Sequence, residues 1–313
     1  MTKNIFVSLF KKYTSKLITK EKFIDLAYKN HDILFDYADY INSTDIKSIV
    51  ITDAEVKMIS RRNKIIMTCK RNDKRLVPFE ILNFKNYEGI YFDFFLDLIK
   101  EAKIVFDIGA NIGWYSLSAA KQNKKMKVYA FEPIKETFDY LIKNIKINQL
   151  KNIISKNIGL SNKNSTVSFF VNPEHSGSAS EKKITDKNIN RIKVILKKLD
   201  DYCVENKIDR IDLIKCDVEG AELFVLEGGK NVFQKFKPIL LVEILRKWAK
   251  KYNYHPNDII DFMNTYNYLC FTIDYIGRLK RIIRVNEKTK ATNYIFFHKV
   301  LHSSLIKKYE TYK

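Results

Sequence analysis

Two acidic stretches, each closing an apolar run, carry the chemistry that can be read directly from the residues. The first is Val105-Phe106-Asp107-Ile108-Gly109-Ala110-Asn111-Ile112-Gly113-Trp114. A buried-strand pattern stops at Asp107, and glycines at 109 and 113 then turn the chain into a helix. Glycine reaches positive φ and lets the backbone approach a ligand with no Cβ between them. The start of the following helix offers free N–H groups and positive dipole to a carboxylate, and Asp107 could accept from an ammonium. Asp107, Gly109, Ala110, Asn111, Gly113 and Trp114 are therefore candidate ligand contacts. The next apolar run ends in Phe131-Glu132-Pro133. An acid at that distance from a glycine turn can accept both hydroxyls of a ribose, and Pro133 ends the strand. Alone, Glu132 would be a favourable charge at a helix start; one βαβ unit after the glycine turn it reads as a nucleoside contact.

The second stretch is Ile211-Asp212-Leu213-Ile214-Lys215-Cys216-Asp217-Val218-Glu219-Gly220-Ala221-Glu222. Asp217, Glu219 and Glu222 cluster where the strand gives way to a helix, the end at which open α/β sheets bind ligands. One carboxylate could take a proton from a substrate hydroxyl, another could offset a cationic reacting centre, and at least one could simply cap the helix. Asp217 is the first choice for the base or orienting carboxylate, and it also falls among the candidate cofactor contacts. His175, in a polar stretch, has a side chain suited to proton transfer near neutrality, although a loop histidine is most often solvated. Asp217 and Glu243 alone make a poor metal signature, so no metal site is expected.

The elements that would position these residues follow from hydrophobic periodicity. Strands are expected over Lys103–Asp107, Lys127–Phe131, Ile153–Asn157, Ile211–Cys216, Pro238–Ile244, Tyr268–Ile273 and Tyr294–His298, with a local strand over Thr166–Val171. Helices are expected over Tyr91–Ile99, Trp114–Lys121, Lys135–Asn148, Leu199–Asn206 and from Leu223 to Gly229. Short apolar strands alternating with helices predict a doubly wound α/β fold with a mainly parallel sheet. Residues 1–85 read as an N-terminal extension with helical pieces over Phe23–Tyr40 and a short strand over Lys64–Lys70, and residues 86–313 as the catalytic domain.

The glycine spacing separates two cofactor classes. A dinucleotide turn reads G-x-G-x-x-G, whereas position 111 is Asn and the next glycine is 113. The turn is closer to that of S-adenosylmethionine enzymes, whose ligand carries a carboxylate and an ammonium and no pyrophosphate. Read together, these segments resemble the FkbM family of methyltransferases. The likeness spans about Val105 to Ile244 and adds Asn157-Ile158-Gly159-Leu160-Ser161-Asn162, Ser176-Gly177-Ser178-Ala179-Ser180, Lys198-Leu199-Asp200 and Leu240-Leu241-Val242-Glu243-Ile244. It implies S-adenosylmethionine as cofactor, methylation of an oxygen on a glycan or small-molecule acceptor, and a Rossmann-like seven-stranded sheet with an antiparallel final strand at Tyr294–His298. It also adds Asn157 and Gly159 to the cofactor contacts. Alanine is usual where Gly159 stands, and the smaller residue should fit. The alternatives are a nucleic-acid methyltransferase and a nicotinamide-dependent oxidoreductase.

Composition bounds these readings. With 46% hydrophobic residues the chain can bury a sizeable core, which excludes global disorder. The formal net charge of +20 could attract nucleic acid, but lysine is abundant throughout, so a basic groove does not follow. Moreover, a carboxylate cluster at the site would repel phosphate, and the turn after the fourth strand lacks the Asn/Asp-Pro-Pro-aromatic pattern of amino-methylating DNA enzymes. Cys69, Cys203, Cys216 and Cys270 form no C-x-x-C pair and read as free thiols of a reducing compartment. No apolar run approaches the length needed to span a bilayer, and the expected location is the cytoplasm. The residues give no oligomeric state.

Overall fold

The computed structural model describes residues 4–172, 175–180 and 189–310, the stretch 175–180 by its backbone alone. The chain opens with helices α1 (Ile5–Thr14), α2 (Lys20–His31) and α3 (Ile33–Tyr40). Strands β1 (Ile46–Ile51), β2 (Val56–Ser60) and β3 (Ile66–Thr68) then form an antiparallel sheet. After α4 (Val77–Phe84) and α5 (Gly89–Leu98) comes the α/β alternation: β4 (Ile104–Ile108), α6 (Trp114–Gln122), β5 (Lys127–Phe131), α7 (Lys135–Ile147) and β6 (Ile153–Lys156). A second small sheet follows, made of β7 (Gly159–Ser161), β8 (Ser165–Asn172), β9 (His175–Ser180) and β10 (Asn190–Lys198). The alternation resumes with α8 (Leu199–Glu205), β11 (Leu213–Cys216), α9 (Glu222–Glu227), α10 (Lys230–Lys235), β12 (Ile239–Glu243), α11 (Arg246–Ala249) and α12 (Pro256–Asn264). It closes with β13 (Tyr268–Ile273), β14 (Leu279–Ile282), β15 (Asn293–His298) and α13 (Ser303–Glu310).

Among the described residues the central sheet has eight strands, in the order β14-β13-β15-β12-β11-β4-β5-β6. Seven of them are the expected strands, and β15 runs antiparallel to β12 as expected of the final strand. The eighth corrects the strand number: β14 folds back on β13 through a turn with Gly277 at φ +87°. Only Leu279 in β14 is buried, while Lys280 and Arg281 face solvent, which suits an edge strand and leaves a weak apolar signal.

Alternate residues of each strand feed two cores, as the two-residue side-chain period requires. Val105, Val128, Leu213, Leu241 and Ile295 pack on one face against α5, α6, α13 and the β1–β3 sheet. Phe106, Tyr129, Ile214, Leu240 and Phe296 pack on the other against α8, α9, α10 and α12. The sheet reverses direction of growth between β4 and β11, and both glycine-bearing turns leave the sheet at that point. No helix of the described residues is long and apolar enough to cross a membrane. The four cysteines are free, and all but Cys69 are buried.

The β1–β3 sheet is stitched to the α/β body by two asparagines of α7. Fully buried Asn144 accepts from the Thr68 N–H at 2.9 Å and donates to the Ile112 carbonyl at 2.9 Å. Asn148 pairs with both backbone groups of Ile66 at 2.8 and 2.7 Å. Asn144 thus links the N-terminal sheet to the glycine turn. Asn144→Leu keeps the bulk but strands two buried backbone groups, so it should cost about 2–5 kcal/mol in urea unfolding. A loss under about 1 kcal/mol would mean that these bonds carry little of the docking.

Candidate active site

The ends of β4, β5 and β11 are tied by backbone bonds. Gly109 and Ala110 both donate to the Phe131 carbonyl, at 3.0 and 2.9 Å, and Asp217 donates its N–H to the Ile108 carbonyl at 3.0 Å. Gly109 sits at φ +83°, and a Cβ there would stand 1.8 Å from the Asp217 carbonyl oxygen. Only glycine allows that contact, so the two acidic turns meet at one backbone crossing.

Above the crossing lies a cleft of about 1040 Å³, partly open to solvent. Asp107, Gly109, Ala110, Asn111, Trp114, Glu132, Pro133, Gly159, Asp217 and Glu219 all line it. Leu160, Phe169 and Leu196 from the second small sheet form one wall, Val77 and Tyr87 contribute from before the α/β alternation, and Tyr252 from between α11 and α12. Of the nearby aromatic residues, Phe92, Phe94 and Phe95 are core, while Tyr87 and Tyr252 line the cleft.

Three expected contacts lie elsewhere. Gly113, at φ +103°, packs under the cleft, where a Cβ would press on Leu141 and Leu117. Asn157 donates to the Glu132 and Pro133 carbonyls at 2.9 and 3.0 Å and so holds the turn that presents Glu132. Glu222 is 1% exposed and faces inward. One of its oxygens accepts from the Val218 and Gly220 N–H groups at 3.2 and 2.9 Å, and the other from the Tyr254 hydroxyl at 2.9 Å. It positions the 217–221 turn. The His175 backbone pairs with Asn172 in the β8–β9 hairpin, and its side chain lies outside the described residues. The β9 strand falls in a stretch read from sequence as irregular.

The polar groups of the cleft are buried acids around one lysine. Glu132 bridges the two turns, accepting from the Asn111 N–H at 3.0 Å and the Ile134 N–H at 2.9 Å. Burial pushes its carboxyl up to about 7, against those two bonds. Asp107 accepts from the Ser116 hydroxyl at 2.5 Å through Oδ2, while its buried Oδ1 has no partner within the chain. Burial raises Asp107, and the nearby Lys215 opposes that rise. Burial also pushes Glu219 up to about 8, helped by Asp217 and Glu222.

Sequence reasoning missed Lys215 and Glu88 as site residues. Lys215 Nζ lies 2.9 Å from Asp217 Oδ2 and 4.8 Å from the centroid of the Tyr115 ring. Burial works to lower its basicity, but Asp217, Glu88 and Asp107 together hold it above the usual lysine value. Glu88, in the left-handed region at φ 55°, receives the Tyr115 hydroxyl. Glu243, at the end of β12, is pushed up to about 10, first by the Asp217 carboxylate and then by burial. Among the described residues no group of three or more such side chains is arranged to hold a metal ion.

The buried acids give a pH signature. Glu132 rises from an ordinary 4.5 to about 7 on folding, so between those values the folded chain holds the extra proton and stability falls as pH rises. Without ligand, the stability advantage of wild type over Glu132→Gln should shrink between pH 5 and pH 7, by at most about 3 kcal/mol. Denaturant unfolding across that range checks it, and a constant difference would show that Glu132 ionises alike in both states.

The FkbM methyltransferase domain family matches residues 107–270. The chain is 32% identical to methyltransferase sdnD of Sordaria araneosa, over 45% of this chain and 67% of that protein. It is 30% identical to hexuronic acid methyltransferase AglP of Haloferax volcanii, over 48% of this chain and 59% of that protein. The chain thus spans about three fifths to two thirds of the length of these relatives. The crystal structure of methyltransferase FkbM from Methylobacillus flagellatus is similar with a TM-score of 0.40 and 16% identity, covering 70% of this chain and 53% of that one. The matched segment begins at the glycine-turn aspartate and takes in more than half of the sequence: the chain belongs to the FkbM family of S-adenosylmethionine-dependent methyltransferases.

Proposed function

We propose that the chain methylates a hydroxyl oxygen of a glycan or other small polyhydroxylated acceptor, with Asp217 receiving the proton. The observation that carries this reading is the polarity of the cleft. At one end Asp107 presents a buried oxygen with no partner, as an ammonium group requires. At the other, Glu132 presents a buried carboxylate with capacity left for ribose hydroxyls. The residues present therefore fit S-adenosylmethionine: Asp107, Asn111 and Trp114 would hold its methionine portion and Glu132, Pro133 and Gly159 its nucleoside, with Asp217 lining the same cleft.

When bound, that cofactor supplies a methyl group on a sulfonium whose departure as a thioether needs no acid. The chain's own residues do the rest. Asp217 accepts the acceptor's proton as the new C–O bond forms. Lys215 fixes the orientation of Asp217 through the 2.9 Å ion pair. Glu219, in the left-handed region at φ 55°, borders the same space from the 217–221 turn. The walls of Phe169, Leu196 and Phe224 exclude water, so alignment and desolvation supply much of the rate.

A small side recess shares Tyr115 and Lys215 with the main cleft and adds Tyr91, Glu243 and Asn293. The relative from Haloferax volcanii, named for hexuronic acid, supports a sugar-type acceptor. The excess of acids around buried Lys215 weighs against a phosphate backbone, and thus against nucleic acid.

Asp217→Asn should retain S-adenosylmethionine affinity within a few-fold in calorimetry. Its release of S-adenosylhomocysteine over a panel of pyranosides should fall about 10²–10⁴-fold. Unchanged turnover would remove Asp217 from the proton-accepting role. Tight binding of NAD with none of S-adenosylmethionine would overturn the reading altogether.

A further inference from the structure

The first forty residues leave apolar surface uncovered in a pattern the methyl-transfer site does not use. Helices of 10, 12 and 8 residues form an arm. Such lengths are marginal in isolation and depend on packing. Within the arm α1 meets α2 through the stacked Tyr13–Phe23 and edge-on Phe10–Phe23 pairs, and Leu9 is the buried residue of α1. The arm reaches the body where the Tyr40 hydroxyl donates to the Leu82 carbonyl of α4 at 2.7 Å.

Of the apolar surface left open on the arm, which also includes Ile24 and Tyr28 of α2, the faces of α1 and α3 carry opposite charge. Around α1, Val7, Phe10 and Leu17 are 66, 56 and 73% exposed, and the exposed charges beside them are Lys11, Lys12 and Lys16. On α3, Leu34 and Phe35 are 50 and 64% exposed, and the exposed charges beside them are Asp32, Asp36 and Asp39. None of these six charges forms an ion pair among the described residues. An anionic bilayer would attract α1 but repel α3 and leave Phe35 uncovered. Self-association satisfies both faces, because a two-fold axis pairs unlike patches twice.

We propose that the arm is a dimerisation device, in which the basic apolar face of α1 from one copy covers the acidic apolar face of α3 from a second copy, and the reverse. The contact buries Phe10 and Phe35 at its centre and places the lysines opposite the aspartates at its rim. The dimer rests on the arm alone and is independent of the methyl-transfer reading.

Sedimentation velocity of the full chain over the micromolar range, with circular dichroism to check folding, tests this. Wild type should be dimeric at low salt and shift toward monomer as salt rises. Lys11→Glu with Lys12→Glu, and separately Asp36→Lys with Asp39→Lys, should each give folded monomer, because like charges then face each other. The four changes combined should restore the dimer with its charges exchanged. Phe35→Glu should be monomeric whatever the salt. A monomeric wild type overturns the proposal, including one that instead sediments with phosphatidylglycerol vesicles. So does a dimer that survives both charge pairs, or a folded four-fold variant that stays monomeric.

Discussion

The site depends on one backbone crossing, where the turn after β4 lies directly on the turn after β11. Gly109 has no side chain because the Asp217 carbonyl occupies the space a Cβ would need. The Asp217 N–H binds the Ile108 carbonyl, and Gly109 and Ala110 bind the Phe131 carbonyl. Three strand ends are thus fixed relative to one another before any side chain acts. Asp107, Glu132 and Asp217 inherit their separation from this crossing, and α7 supports it from beneath through Asn144.

The buried charge around the crossing is costly, and it is arranged to be used. Carboxyls at 107, 132 and 222 are withdrawn from water, and Lys215 is the buried cation among them. An unpaired buried charge would shift its protonation or destabilise the fold. Here Asp107, Glu132 and Glu222 each accept from a hydroxyl or from backbone N–H groups, and Asp217 pairs with Lys215. The exception is Asp107 Oδ1, which is buried and has no partner within the chain. An enzyme that handles a doubly cationic, singly anionic donor benefits from such a negative, pre-arranged site. The same arrangement ties stability to pH, because Glu132 and Glu222 stay protonated up to about 7.

Much of this was legible locally. The strands at 127–131 and 268–273 match the sequence reading residue for residue, because each is a nearly unbroken apolar run, as a strand covered on both faces requires. The glycine turn and Glu132 were legible because turn chemistry is written in consecutive residues. Lys215 and Glu88 were not, since a buried lysine looks like any other lysine until the fold surrounds it with acids. Glu222 read as a possible base because sequence shows its type and not its direction. The strand β10 was missed although Ile192, Val194 and Leu196 alternate within it; its lysines and arginine mask the pattern. The FkbM resemblance added Gly159, which lines the cleft, and Asn157, which instead holds the turn beneath it.

The central claim is that the crossing at Gly109 and the acid at Glu132 hold the two ends of one molecule. A crystal structure of the protein with S-adenosylhomocysteine tests it most directly. The account predicts the ribose hydroxyls on Glu132, the amino group on Asp107 Oδ1 and the sulfur turned toward Asp217. A nucleoside bound away from Glu132, or an amino group that leaves Asp107 untouched, would contradict it.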